Sequence, residues 1–480
     1  MIGGILLLLI AIVLIRTFTF QPPVLPTETE PMHVERDMQK EVETFAKALT
    51  YPTIVSMDYE ATDFGPFEDF RIFLKESFPR VHETCDLTMI NTHSMVFHWK
   101  GKNAELLPIL FLAHYDVVPA AEETLANWTY PPFSGTIADG NIYGRGTLDD
   151  KNELMSLMQT AENLMAQSFT PERDIYFAFG HDEEQGGRQG AMNITAYFEE
   201  HNMHFDAVYD EGGVVIEGAI ASVKTPLAVI GVAEKGYNNI RVTVTSKGGH
   251  SSMPPKHTAL GDLAQIAVNI EKHPMNPILT PIVKDLLTNI CNEMGFAVKM
   301  AVRNLWLFKP ILFKVLGASP ATNAMIRTTF AATMAKGSDA PNIMPQTTEM
   351  IVNVRVLPGN TPEEALDHVK SLAQGIDAKV EPILKEEASP ISDLSGKGYA
   401  HLLNAIGDIY PNAIPTAYLV LGGTDARKYY NVSNAIYRFM PAQITNEEQG
   451  TMHAANEYIS IENYKRMIVF YEKLITGYDA

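Results

Sequence analysis

Cysteine is nearly absent from this 480-residue chain: only Cys85 and Cys291 occur, and no CxxC pair exists. A disulfide-built scaffold and a cysteine-ligated zinc module are therefore excluded. The two residues read as buried free thiols, with a single disulfide as the alternative. Basic residues are also scarce. Lys and Arg total 37 against 57 Asp and Glu, a net charge of −20. Such a surface repels nucleic acid, which is not expected as a partner. No internal repeat and no long low-complexity tract is visible. What is plentiful is apolar residue, at 46%, enough for a sizeable core. The length points to two domains.

The N-terminus has an apolar run, Ile2 to Ile15, ended by Arg16. A spanning helix takes about 20 residues, which the run reaches only if Thr17–Phe20 is counted. A basic n-region and an A-x-A-like cleavage site are both missing, so residues 1–20 read as an uncleaved anchor, with a cleaved signal as the rival. The expected location is membrane-anchored or exported, in a secretory pathway or cell envelope. Residues 21–40, starting Gln21-Pro22-Pro23, read as a linker. Asn127, Asn193 and Asn431 head glycosylation sequons that matter only in a secretory pathway.

Strand-like and helical patterns alternate along residues 41–235. LLPILFLA (106–113), DIYFAFG (174–180) and AVY (207–209) read as buried strands, and 151–167 has helical apolar spacing with one apolar face. Strand–helix–strand repeats predict a mainly parallel α/β sheet. From 236 to 388 the character changes. NIRVTVTS (239–246) and MIVNVRVL (350–357) alternate, and Thr361-Pro362 with Glu364 opens a helix with a capping box. This is the profile of an inserted α+β domain, after which the α/β pattern resumes over 389–480. Asn304–Gly317 is strongly apolar with two lysines. It reads as a core or dimer-contact helix broken at Pro310, and the sharper alternative is a lipophilic wall or membrane-touching surface.

Five metal-type ligands sit where strands end or helices begin: His114, Asp149, Glu184, Asp210 and His453. In open α/β sheets, sites form beyond the carboxyl ends of strands. Two histidines and three carboxylates hold two zinc ions if one carboxylate bridges them. Glu183, beside a ligand, is free to handle protons. Asp116, two residues after His114, is placed to accept the imidazole's other N–H. Taken singly each residue has a bland reading: a structural histidine, a solvated acidic pair, a helix N-terminus. Their joint occurrence at strand ends beside Gly-rich turns favours hydrolysis of an amide bond.

The runs LAHYDVVP, YGRGTLDDK, GHDEEQGG, YDEGG, GGHSSMP, GGTDAR and MHAANE occur in this order. Together they resemble the dizinc peptidases that include aminoacylase, glutamate carboxypeptidase and carboxypeptidase S, over roughly positions 40 to 475. RNLWLF, TNAMIRTT and NIMPQTTEMIVNVRVLPG look most like the carboxypeptidase S and N-fatty-acyl-amino-acid synthase/hydrolase branch. The resemblance implies a zinc-peptidase-like catalytic domain interrupted by a lid or dimerisation domain. It pairs His114 with Asp210 on one zinc and Glu184 with His453 on the other, with Asp149 bridging and Glu183 as general base. It places Arg427, with backbone N–H groups around Gly422 and Gly423, on the substrate carboxylate. A bland reading pairs Arg427 with Asp425. It makes His250 an oxyanion donor assisted by Asn342, with a homodimer through the inserted domain as the setting. Zinc is the expected metal, and cobalt or manganese suits the same donors. The expected substrate is an N-acyl amino acid, with long acyl chains and reversible action as candidates, or a short peptide. A catalytically silent binder of the same fold is the alternative, which loss of Glu183 or of a ligand would favour. All six are present.

Overall fold

The computed structural model describes residues 2–21, 30–220 and 222–479. Seven strands of the large sheet come first: β1 (Asp86–Ile90), β2 (Ser94–Trp99), β3 (Ile109–His114), β4 (Ile175–Gly180), β5 (Ala207–Asp210), β6 (Val214–Glu217) and β7 (Leu227–Glu234). The next four, β8 (Gly236–Thr245), β9 (Thr329–Lys336), β10 (Thr347–Val356) and β11 (Ala378–Leu384), make a separate sheet in the order β9-β10-β8-β11. The chain then returns with β12 (Ile414–Val420), β13 (Ile436–Arg438) and β14 (Gln443–Thr445). These join the first seven in the order β1-β2-β4-β3-β5-β13-β7-β6-β14, with β12 pairing β7. The second sheet is thus inserted into the first. The large sheet is mixed and mainly parallel: β3 pairs β4 and β5, β13 pairs β5, β12 pairs β7 and β14 pairs β6, all in parallel.

Burial explains the two sequence textures. Every residue of β3 and β7 is buried, because the large sheet has core on both faces, so its central strands read as continuous apolar runs. In β8 and β10 buried residues alternate with partly or fully exposed ones. Their inner side chains Ile240, Val242, Val352 and Val354 meet one layer of helix. That layer includes α3 (Ala259–Lys272) and α7 (Pro362–Leu372), numbering α1 (Ile2–Phe18) and α2 (Lys151–Ala166) before them. The capping box of α7 is complete: Thr361 Oγ1 accepts from Glu364 N at 3.2 Å, and Glu364 accepts from Thr361 N at 3.0 Å.

Several expectations are revised. Helix α2 buries far more than one apolar face: Lys151, Glu153, Ser156 and Thr160 are buried too, because the C-terminal helix α8 (Ile461–Gly477) packs on it. Cys85 and Cys291 are free and buried, as expected. Of the expected linker, residues 22–29 lie outside the described residues. Beyond them Val34 and Met38 are in the main core, and Met32 N donates to Ile409 O at 2.8 Å. Helices Pro281–Ile290, Phe296–Arg303 and Leu305–Leu316 follow α3 in sequence. The first contributes Ile282, Leu286 and Ile290 to the core of the large sheet. The last runs through Pro310 without breaking. Among the described residues no helix is long and apolar enough to cross a membrane.

Candidate active site

The C-terminal ends of β3, β4 and β5 lie side by side, and each delivers an acid or histidine to one rim. His114 closes β3. Its Nδ1 donates to Asp116 O at 3.0 Å, with Asp116 Oδ1 at 3.3 Å. That bond fixes the orientation of the ring and turns Nε2 inward. Nε2 lies 2.9 Å from Asp149 Oδ1 and 3.4 Å from Glu211 Oε1. The other oxygen of Asp149 lies 2.8 Å from His453 Nε2, which is 3.2 Å from Glu184 Oε1. Two donor groups result, His114–Asp149–Glu211 and Asp149–Glu184–His453, and they share Asp149.

One expected ligand, Asp210, lies in neither group. Asp210 is buried, and its Oδ2 accepts from Ala426 N at 3.0 Å. The neighbouring Glu211 takes the place beside His114. The chain after Glu211 is held by close approach. A Cβ on Gly213 would lie 2.2 Å from Val229 O and 2.4 Å from Arg438 O, so only glycine fits there.

Asp116 does more than orient His114. Its two carboxylate oxygens accept from Glu183 N and Glu184 N, each at 3.0 Å. One buried residue therefore sets both, the imidazole through its backbone oxygen and the turn carrying Glu183 and Glu184 through its carboxylate. Burial, with charge from Asp425, Glu211 and Asp149, pushes the Glu183 carboxyl well above the ordinary glutamate value. Burial, followed by the charge of Asp149, raises Glu211 to about 8. Asp149 is shifted the other way: burial opposes ionisation, but bonds from His114 and His453 hold its carboxyl below the usual range.

A cavity of about 1190 Å³ opens beside these groups. The pole at Asp149, Glu183, Glu184, Glu211 and His453 is acidic. Tyr237 and Arg355, from β8 and β10, line it too, as do Gly422, Gly423 and Arg427. Met192, Met440, Ile444 and Met452 give it an apolar side. Arg427 lies 3.0 Å from Glu386 Oε2 and donates to Glu387 O. Asp425 pairs instead with Lys428, at 2.8 Å.

His250 and Asn342 come together elsewhere. They line a separate cavity of about 350 Å³ on the small ribbon that pairs Gly249–His250 with Ile343–Met344. Neither lines the main cavity. His250 Nδ1 accepts from Ser252 N at 3.1 Å, so the neutral ring carries its proton on Nε2, free to donate.

Residues 110–477 match the model of the peptidase family M20/M25/M40. The chain belongs to that family. It is 37% identical to the probable carboxypeptidase S-like 2 of Dictyostelium discoideum over 90% of this chain and 83% of that one. It is 35% identical to the N-fatty-acyl-amino acid synthase/hydrolase PM20D1 of Xenopus tropicalis over 99% and 94%. Its fold is that of the M20 family metallo-carboxypeptidase Sso-CP2 from Sulfolobus solfataricus, with a TM-score of 0.65 at 18% identity, covering 92% of this chain and 99% of that one. This member of the M20/M25/M40 family is a hydrolase of C–N amide bonds in the branch of carboxypeptidase S and the N-fatty-acyl-amino acid synthase/hydrolases. The donors of its two groups are nitrogen and oxygen only, Asp149 offers one oxygen to each, and Glu184 Oε1 is buried without a hydrogen bond. These residues fit divalent cations.

Proposed function

We propose that this enzyme uses two zinc ions to cleave the amide of N-acyl amino acids, long acyl chains included. The observation that carries the reading is the pair of donor groups joined at Asp149, with Glu183 beside them at the end of a cavity that is apolar on one side and has Arg427 at its wall. The ligand set is His114 and Glu211 for one ion, Glu184 and His453 for the other, and Asp149 for both. A bound metal pair supplies Lewis acidity, which makes a water more acidic and the amide carbonyl more polarised.

The protein's own groups do the rest. Glu183 accepts the proton of the attacking water and delivers it to the leaving nitrogen, a task for which its raised pKa suits it. Arg427, released from Glu386, forks onto the substrate carboxylate, a match of guanidinium to carboxylate geometry, and the backbone N–H groups near Gly422 and Gly423 assist. Met192, Met440, Ile444 and Met452 accept the acyl chain, since methionine packs adaptably on apolar ligands of variable shape. Its volume lies slightly above the roughly 300–1,000 Å³ typical of small-molecule sites, which suits a long substrate. Because one transition state serves both directions, the enzyme also condenses fatty acid and amino acid when both are abundant.

His250 and Asn342 stand apart from their own chain's cavity. In this reading the sheet β8–β11, with α3 and α7, forms a lid that dimerises and carries the Nε2–H of His250 to the oxyanion of a partner's site, where such a donor is most effective. Residues 1–20 hold the enzyme at a membrane.

The test is hydrolysis of acetyl-, oleoyl- and aminoacyl-phenylalanine by zinc-loaded enzyme, with Glu183→Ala as control. Preference for oleoyl-phenylalanine supports the reading. Preference for the dipeptide makes the enzyme a dipeptidase or carboxypeptidase. Full activity in a folded, zinc-bound Glu183→Ala protein refutes the mechanism.

A further inference from the structure

The most unusual surface of this molecule lies away from the catalytic cavity. Helix α1 is apolar all round, a pattern expected of a buried or membrane-embedded helix. Only a stripe at four-residue spacing, Leu9, Val13 and Thr17, faces the body, while Leu7 is 70% exposed and Leu8 and Ile15 are similarly bare. The helix is nonetheless firmly seated. Asn304 Nδ2 donates to Val13 O at 3.3 Å and to Thr17 Oγ1 at 3.2 Å, and Arg16 donates to Arg303 O. The Arg303 guanidinium lies 3.8 Å from the centre of the Phe20 ring.

Asn304 is also the junction between helices Phe296–Arg303 and Leu305–Leu316. The second of these buries Leu312 and Leu316 but turns a second apolar row, Leu307, Ile311 and Val315, outward at four-residue spacing. Ile311 and Val315 are 59% and 60% exposed, and Trp306 is 56% exposed. Helix α1 thus packs on helix Phe296–Arg303, and Asn304 links it to the bare helix Leu305–Leu316. Monomeric soluble proteins rarely expose contiguous apolar surface of this kind without a partner for it.

Charge identifies the partner. The chain carries 57 acids in 480 residues, yet residues 294–338 contain none, and neither do residues 2–21. The same segments contain Arg16, Lys299, Arg303, Lys309, Lys314, Arg327 and Lys336. In a molecule of net charge −20, the two segments that carry these bare helices therefore hold seven bases and no acid. That combination suits an anionic lipid surface, where apolar side chains enter the acyl boundary, tryptophan sits at headgroup level and lysines reach the phosphates. Helix α1, with 17 residues, is about 25 Å long at 1.5 Å per residue, short of a hydrocarbon core of about 30 Å.

We propose that α1 and helix Leu305–Leu316 form one composite platform by which the enzyme rests in the interface of an anionic bilayer. This deepens the membrane reading above and is independent of which amide is cut. The platform is a property of the folded body, since half of it belongs to a helix more than 280 residues from α1.

The test uses the full chain and phosphatidylcholine vesicles with or without about one-third phosphatidylserine. Wild-type protein is expected to bind the anionic vesicles more tightly, and the Trp306 fluorescence to be quenched by brominated lipid, a signal that Trp306→Phe removes. Trp99 is buried and Trp128 lies on the catalytic domain, so neither reports on the platform. Ile311→Glu/Val315→Glu, both at exposed positions, is expected to weaken binding about tenfold or more, while hydrolysis of a water-soluble N-acetyl amino acid is unchanged. Met57→Glu, a bare residue elsewhere, is the control. Unchanged vesicle binding by the double variant means that α1 acts alone and overturns the platform but not the membrane reading. A double variant that alters only the monomer–dimer distribution assigns the face to a second copy and also overturns it. Absence of vesicle binding by the wild type overturns both readings.

Discussion

Substituting Glu211 and Asp210 one at a time separates two adjacent acids that the fold treats in opposite ways. Glu211 Oε1 is 3.4 Å from His114 Nε2, within the group that shares Asp149. Asp210 spends its carboxylate on the Ala426 N–H at 3.0 Å. Glu211→Gln keeps size and removes an anionic donor. Loss of a partner one shell out from a metal typically costs 10- to 100-fold in affinity, so loss of a direct donor is expected to cost at least about 100-fold for one ion. At fixed free zinc, that factor is about 2.7 kcal/mol of stabilisation no longer supplied by the ligand. Asp210→Asn keeps an oxygen for Ala426 and loses only the charge-assisted part of the bond, about 1 kcal/mol. Metal content after dialysis against chelator-buffered zinc, and melting with and without zinc, read the two effects. Glu211→Gln should retain one ion and lose much of its zinc-dependent melting shift. Asp210→Asn should retain both and melt slightly lower at every zinc level. The reverse pattern would refute the ligand assignment.

Three further outcomes are expected. Asp116→Asn can satisfy only one of the two backbone N–H groups that now converge on its carboxylate; a loss of about 2–3 kcal/mol in denaturant unfolding is expected, with weakened zinc binding, and wild-type values for both would contradict the role. Arg427→Ala should raise KM for N-acyl amino acids about tenfold or more while leaving turnover of the corresponding amino-acid amides nearly unchanged; equal effects on both would remove Arg427 from the carboxylate. Burial foremost, and Arg355 next, lower the Lys235 amine from 10.5 to about 7, so the unfolded chain binds more protons than the fold between those values and this group's contribution to stability rises with pH across that window. Lys235→Met should flatten that slope, worth on the order of 5 kcal/mol, and parallel stability–pH curves for the two proteins would show that the amine is not desolvated.

The sequence carried the parts of the site that rest on periodicity and strand ends. β3 and β4 announce themselves as apolar runs, and His114 and Glu184 follow where such runs stop, so the rim was readable before the fold. The step from Asp210 to Glu211 was not. Both residues follow the same short strand, and which of two consecutive side chains faces the rim depends on the turn after it, fixed by the close approach of Gly213 to Val229 O and Arg438 O. No local pattern encodes that distance. The reach of Asp116 to two backbone N–H groups 67 and 68 residues away was hidden for the same reason. Likewise the hydrophobicity of Asn304–Gly317 was plain in the sequence. Its division into an inward Leu312–Leu316 row and an outward Ile311–Val315 row needs the helix to continue through Pro310, where the sequence alone predicts a break.

The crowding of acids around His114 explains why the ligand set reaches so far along the chain. Asp149, Asp150, Glu153, Glu183, Glu184, Asp210 and Glu211 share a small volume, and burial raises the carboxyls of Asp150, Glu153 and Glu183 well above their ordinary values. Asp150 Oδ1 and Glu153 Oε1 are buried without a hydrogen bond. Such a concentration of unpaired carboxyls is costly in a fold whose only purpose is stability. The nearby fixed cations are already paired: Arg438 with Glu234, both fully buried, and Lys428 with Asp425. Two divalent ions would supply the missing positive charge at the point where Asp149 faces both histidines. Strand ends from before the inserted sheet and His453 from after it would then converge on the same ions, so metal binding would tie the two segments together. Chelation should accordingly loosen residues 446–457 before it unfolds the large sheet, a difference that hydrogen exchange on the stripped protein would read directly. Uniform loss of protection would show that the ions serve catalysis alone.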